Sequence, residues 1–198
     1  YGKMAAHHLL LAHGLAMPVL QKNSPDSLNG IVLNFTPCYP ATDSVEDRLA
    51  AQRADETFNQ WYIRPLLEGT YPSIIDSLPD AEKPDIHPGD LDLIAHPLDF
   101  LGVNYYTRAI YRADKSRPFV QLPPGNRPQT EMGWEICPEA LTDLLVSLDR
   151  KYTLPPVYIT ENGAALKDTV DRGQVNDSQR AHYFQVHLDA INQAMEQG

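Results

Sequence analysis

Apolar residues recur along the chain with two different periods. Residues 3–17 place Met4, His8, Leu11 and Leu15 on one stripe with alanines between them, which predicts a helix. Residues 30–36 are a short apolar run, IVLNF, stopped by Pro37, which predicts a buried strand. Asp43 and Glu46 stand at capping-box spacing and predict the start of a helix. It extends to about residue 67 and carries Leu49, Phe58, Trp61 and Tyr62, with Pro65 as the position to kink or end it. Residues 100–107, FLGVNYYT, predict a second strand. Residues 138–151 predict a helix with Pro138 in its first turn and Leu141, Leu144, Leu145 and Leu148 facing inward. Residues 157–161, VYITE, predict a third strand, built from residue types that suit a pleated surface. Asp177 then caps a last helix through about residue 197, with Phe184, His187 or Leu188, Ile191 and Met195 on one face.

The order is therefore α-β-α-β-α-β-α. Strands alternating with helices predict an α/β fold with a parallel sheet. A closed α/β barrel has eight strands and typically about 250 residues. Three strands in 198 residues predict either a small open sheet or part of a larger barrel.

Composition narrows the classes. Hydrophobic residues make up 42% and charged residues 21%, as in a globular chain. The net charge is -10, which speaks against nucleic acid or an anionic membrane as partner, because both need clustered Lys and Arg. Cys38 and Cys137 lie far apart without metal-type spacing and are expected to be buried, reduced thiols. The apolar run 9–11 is too short to span a membrane or to serve as a signal peptide, and the default expectation is a cytoplasmic protein. The 17 prolines cluster in 72–97 and 118–138, which read as long ordered loops. The seven histidines are expected to be packed or solvated rather than metal-binding. Trp61 reads as core; Trp134, in a loop, is open to either a packing or a ligand role.

Candidate chemistry centres on PPVYITENG, residues 155–163. Glu161 ends the third strand just before Asn162-Gly163, a strong turn signal. The plain alternative is a β-hairpin with a solvated Glu, but no alternating run follows. At the C-terminal end of a barrel strand, a carboxylate stands where barrel enzymes keep their chemistry. Side chains alternate along a strand, so Val157, Ile159 and Glu161 share one face. Phe100, Gly102, Asn104 and Tyr106 share another, as do Val32, Asn34 and Thr36. Each of these faces turns polar toward its C-terminal end. A closed barrel is expected to bring Asn34, Asn104, Tyr106 and Glu161 to one mouth.

Several segments resemble the family 1 glycoside hydrolases, the β-glucosidase and 6-phospho-β-glycosidase group: TENG after a strand, FLGVNYYT, MGWEICPEAL, HHLLLAHGLA and WYIRPLLEGTYP. The last helix adds the spacing D-x-x-R-x-x-Y-x-x-x-H at Asp177, Arg180, Tyr183 and His187. The resemblance covers nearly the whole chain in the correct order. It implies a (β/α)8 TIM barrel, of which residues 1–198 form a single partial catalytic domain with about three parallel strands and flanking helices. It implies a retaining β-glycosidase acting by double displacement on a small-molecule β-glycoside, with Glu161 as nucleophile, Tyr106 orienting and stabilising it, and Asn104 lining the pocket. Asn34 is a weaker candidate for substrate binding. No metal or organic cofactor is implied.

The family's acid/base lies in a T-x-N-E-P motif, and Asn-Glu-Pro does not occur in the 198 residues. Glu131 and Glu135 flank Met132-Gly133-Trp134 but have no claim to that role. The expectation is therefore a middle-to-C-terminal piece of a larger enzyme, inactive alone, with open sheet edges that need missing barrel segments or another chain. The contrasting expectation from another class is a non-catalytic carbohydrate-binding or regulatory remnant of the same fold.

Overall fold

The structure is a computed structural model and describes residues 2–198. They fall into two compact units. One runs up to Phe35 and adds Arg53–Val103 and Thr153–Thr160; the other comprises Thr36–Gln52, Asn104–Tyr152 and Glu161–Gly198.

In the first unit, α1 spans Gly2–Asn23, longer than expected. Pro18 lies inside it and forfeits one helical hydrogen bond without ending the helix. Its buried stripe is Ala6, His7, Leu10, Gly14 and Met17, not Met4, His8, Leu11 and Leu15. A Cβ on Gly14 would stand 2.2 Å from the Leu93 carbonyl oxygen, so only glycine allows this approach. Strand β1 covers Gly30–Phe35, with Leu33 and Phe35 buried and Val32 exposed.

Helix α2, Val45–Asp55, begins in the second unit, one residue later than the capping pair predicted. Ser44 is the cap: its Oγ accepts from the Asp47 N–H at 3.1 Å, and its carbonyl accepts from the Arg48 N–H. After one wide turn, Glu56–Gln60, helix α3 spans Trp61–Glu68. Pro65 does not end it. The stop is Gly69, left-handed at φ 63°, whose N–H returns to the Pro65 carbonyl. Trp61 is fully buried against Tyr71, as core.

The proline-rich stretch 72–97 holds two short helices, α4 at Ile74–Ser77 and α5 at Asp90–Ile94. The His7 ring ties this stretch to α1 through the Tyr71 hydroxyl at 2.8 Å and the Asp90 carboxylate at 3.1 Å. Strand β3 is Phe100–Tyr105.

The central sheet has the order β1-β3-β6, where β6 is Val157–Glu161. Gly30 lies against Phe100 and Val32 against Gly102, the same two-residue step on both strands, as in a parallel pair. Phe100 meets Tyr158 edge-on, and Gly102 meets Thr160, which repeats the step on the other side. This register corrects the expected faces. Tyr158 and Thr160, not Val157 and Ile159, share the side of β3 that carries Gly102. Alternation within one strand says nothing about which parity its neighbour selects; register decides that.

The second unit contains pairings the hydrophobic pattern did not predict. Strand β2, Cys38–Pro40, runs parallel to β4, Ala109–Arg112, and β4 pairs antiparallel with β5, Val120–Gln121. Strands β7, Val170–Asp171, and β8, Gln174–Val175, form a small hairpin. Its turn uses Arg172 and Gly173, both at positive φ. These strands have two to four residues, too few for a period to register.

Helix α6, Pro138–Lys151, matches its expected bounds and buries Leu141, Leu144 and Leu148. It packs on α7, Ser178–Glu196, where the Thr142 hydroxyl donates to the Ala190 carbonyl. The buried stripe of α7 is Tyr183, His187, Ala190 and Ala194. Phe184, Leu188 and Met195 are exposed, so the expected face is one position off except at His187. Neither cysteine is in a disulfide: Cys137 is buried and Cys38 half-buried.

Candidate active site

The site residues described next all belong to the second unit. Glu161 is the last residue of β6, and Tyr106 follows the last residue of β3. The Tyr106 hydroxyl donates a hydrogen bond to Glu161 Oε2. That bond, and to a lesser extent partial burial, pushes the Tyr106 phenol up to about 12, because an ionised phenol would face a carboxylate. A phenol that keeps its proton at neutral pH is a permanent donor to the carboxylate.

Trp134 packs against Tyr106, with ring centroids 5.6 Å apart. A tight turn presents it: Gly133 is left-handed at φ 72°, and the Thr130 N–H donates to the Trp134 carbonyl. The base of this turn is pinned by Glu135, which is 4% exposed. Its carboxylate accepts from Arg108 Nε at 2.9 Å and the Gly125 N–H at 2.6 Å. The Thr107 hydroxyl donates to its carbonyl. Burial alone would raise the Glu135 pKa; the Gly125 N–H and the Arg108 guanidinium outweigh it and hold the carboxyl below its usual range. Glu135 is thus an anchored structural anion and not a proton donor. Glu139 pairs with Arg127.

Behind Glu161, Asn162 turns inward. Its Nδ2 donates to the Tyr105 carbonyl at 2.9 Å and to the Tyr183 hydroxyl at 3.0 Å. Tyr105 is fully buried and donates from its own hydroxyl to the Cys137 carbonyl at 2.5 Å. Tyr183 stacks on His187, centroids 3.9 Å apart. His187 Nδ1 bonds the Tyr183 carbonyl at 2.7 Å, while Nε2 is buried with no partner among the described residues. The loop beyond is held by Arg180, which donates to Ala164, Asp168 and Asp177.

The structure therefore brings Glu161 and Tyr106 together, as the sequence suggested. Asn104 is buried two residues before Tyr106. Asn34 lies exposed near the end of β1, in the first unit. In the sequence Asn162 is legible only as a turn residue, and no local pattern places Trp134. Tyr183 and His187 carried a usable signal: four residues apart on a helix, they face the same way. Among the described residues no group of three or more His, Cys, Asp or Glu side chains could hold a metal ion. No helix among them is long and apolar enough to cross a membrane.

A parallel sheet flanked by helices, with a carboxylate at a strand's C-terminal end, is the arrangement of a partial (β/α)8 barrel. The sequence pattern of glycosyl hydrolase family 1 matches residues 3–198, and the chain belongs to that family. Beta-glucosidase A of Acetivibrio thermocellus is 36% identical over 98% of this chain and 45% of its own length. The 6-phospho-beta-glucosidase GmuD of Bacillus subtilis is 29% identical over 96% of this chain. Among solved structures, a beta-glucosidase from Exiguobacterium marinum superposes with a TM-score of 0.89 at 36% identity, over 97% of this chain and 45% of that one. Virulence factor SghA in complex with its substrate analog salicin gives 0.92 at 33% identity, over 98% and 44%. The chain thus spans about 45% of the length of the curated relatives it matches.

Proposed function

We propose that these residues are part of the catalytic domain of a retaining β-glycosidase that hydrolyses β-glucosides or related β-glycosides. The observation that carries the reading is the hydrogen bond from Tyr106 to the carboxylate of Glu161 at adjoining strand ends. Glu161 is the nucleophile. Its carboxylate attacks the anomeric carbon as the bond to the leaving oxygen breaks and that oxygen takes a proton from an acid. Water then attacks the glycosyl-enzyme, gives its proton to the same group acting as base, and releases Glu161. Tyr106 holds the attacking oxygen in line and favours the ionised carboxylate. Asn104, on the strand beside it, lines the glycone pocket.

A retaining enzyme needs a second carboxyl about 5–5.5 Å from the first. Glu135 and Glu139 are committed to Arg108 and Arg127, and Glu56 to the Ile74 N–H and the Ser73 hydroxyl. Asn-Glu-Pro, the acid/base motif that the family resemblance implies, does not occur in these 198 residues, so on this reading the acid/base belongs to another part of the full-length protein and the isolated chain is expected to be inactive. The cytoplasm is the default location for such a protein.

The test is made in the full-length protein that carries this chain. Glu161→Ala abolishes hydrolysis of an aryl β-glucoside. Azide restores turnover and yields a glycosyl azide of inverted, α configuration, since one displacement replaces two. Unchanged hydrolysis by Glu161→Ala, or no azide adduct, sinks the assignment. Comparing the aryl β-glucoside with its 6-phosphate decides between the substrate classes named for the relatives.

A further inference from the structure

We propose that Asn162 is a positioning residue for Glu161, acting through a crossed clamp between two adjacent pairs of residues. The inference rests on the nucleophile role given to Glu161. The Asn162 side chain holds the backbone of Tyr105, and the Tyr106 side chain holds the side chain of Glu161. Residues 105 and 106 are consecutive, as are 161 and 162. Each strand end therefore contributes one backbone or side-chain acceptor and one side-chain donor, and the backbone that carries the carboxylate cannot shift without straining both bonds.

The anchors of the clamp are rigid. An Asn amide has two N–H donors, and both are spent, one on each partner. The Tyr105 carbonyl belongs to a buried residue whose hydroxyl is itself fixed on Cys137. The Tyr183 hydroxyl is held by a buried ring that is stacked on His187, and the Gly163 N–H reaches the same hydroxyl. Without these bonds Glu161 would lead directly into Asn-Gly, a pliable dipeptide. Among the described residues, the side-chain hydrogen bond to Glu161 comes from Tyr106. The residues beside it, Tyr106 and Asn162, contribute to its direction.

The clamp also accounts for a feature of β6. Thr160 takes the side of the sheet that carries Gly102, so regular alternation would turn the next side chain away. The strand ends at Glu161 and Asn162 is pulled toward Tyr105 and Tyr183, which leaves the carboxylate on Tyr106.

The experiment uses the full-length protein and reads kcat and KM separately. Asn162→Ala should lower kcat by about 100-fold, with KM changing far less, as expected for a displaced reacting group. In the Glu161→Ala background azide replaces the carboxylate, so there is nothing left for Asn162 to position. Adding Asn162→Ala there should change the azide-rescued rate by less than about twofold. A wild-type kcat in Asn162→Ala overturns the proposal, as does an equal loss in the azide-rescued background, which marks a general structural role. If near-UV circular dichroism shows that Asn162→Ala does not fold, Tyr183→Phe takes its place. It keeps the ring and its stack and removes only the hydroxyl, and the same two comparisons decide. Full activity in Glu161→Ala alone would instead remove the nucleophile role, and the inference with it. That failure is visible without any Asn162 variant.

Discussion

Tyr106 and Glu161, 55 residues apart in the chain, meet through a single hydrogen bond from phenol to carboxylate. Neither is deeply packed: Tyr106 is half-buried and Glu161 exposed. The bond joins two strand ends through side chains alone. Removing the phenol leaves the carboxylate present but unaimed. In the full-length protein Tyr106→Phe should lower kcat for an aryl β-glucoside by about 10- to 100-fold, the worth of one hydrogen bond to a charged group. Melting temperature should barely move. Kinetics and thermal denaturation of the same sample check both parts, and an unchanged kcat would count against the orienting role.

Gly102 marks the tightest point of the central sheet. A Cβ there would lie 2.7 Å from Val32 Cγ2 and 2.9 Å from Thr160 Cγ2, between both neighbouring strands. Neither β-branched neighbour can rotate away cheaply. Gly102→Ala is expected to destabilise the fold by about 1–3 kcal/mol, the usual cost of overpacking. Urea denaturation of the full-length protein measures it; a midpoint equal to wild type would show that the sheet yields.

Buried histidines make stability pH-dependent in a defined direction. Burial lowers the pKa of His187 from the ordinary histidine value of 6.5, against the weaker raising effect of its bond to the Tyr183 carbonyl. His13 is lowered too, by burial and by His96. The folded state therefore binds fewer protons than the unfolded chain in the window below that value. Their contribution to stability is complete above about pH 6.5 and is lost as the pH falls through the lowered values. Melting temperature should drop between about pH 7 and about pH 5, and His187→Gln should make the drop shallower. An identical slope in the variant would place the effect elsewhere.

Strands β1 and β6 form the edges of the central sheet. Val32, Val157 and Tyr158 on them are 45%, 37% and 51% exposed, an apolar surface along unpaired edges. Such edges associate. The isolated 198-residue chain should elute from gel filtration as oligomers or aggregates, with a broad thermal transition. A compact monomer that melts cooperatively would contradict this.

The three main strands, the helix at Pro138–Lys151 and the place of Glu161 at a strand end were legible in the sequence, because they depend on local matters. A β-prone run ended by Asn-Gly, a proline at a first turn and a 3.6-residue stripe of leucines all act within a few residues. Faces were less legible. On α7 the sequence offered Phe184 and Met195, whereas the core took Tyr183 and Ala194. The choice depends on what α6 presents, and large apolar residues are not obliged to be inside. The short strands β2, β4 and β5 had no period to show.

By itself, then, the sequence determined the alternation of helix and strand, the motifs of its family and the identity of one carboxylate with its tyrosine. Tertiary structure decided the register of β6, the inward turn of Asn162 onto Tyr105 and Tyr183, and the seat of Trp134 on Tyr106. Each of these joins residues distant in the chain, and no local propensity specifies such a meeting. It follows from strand register and the fit of buried side chains, which exist only once the elements have packed.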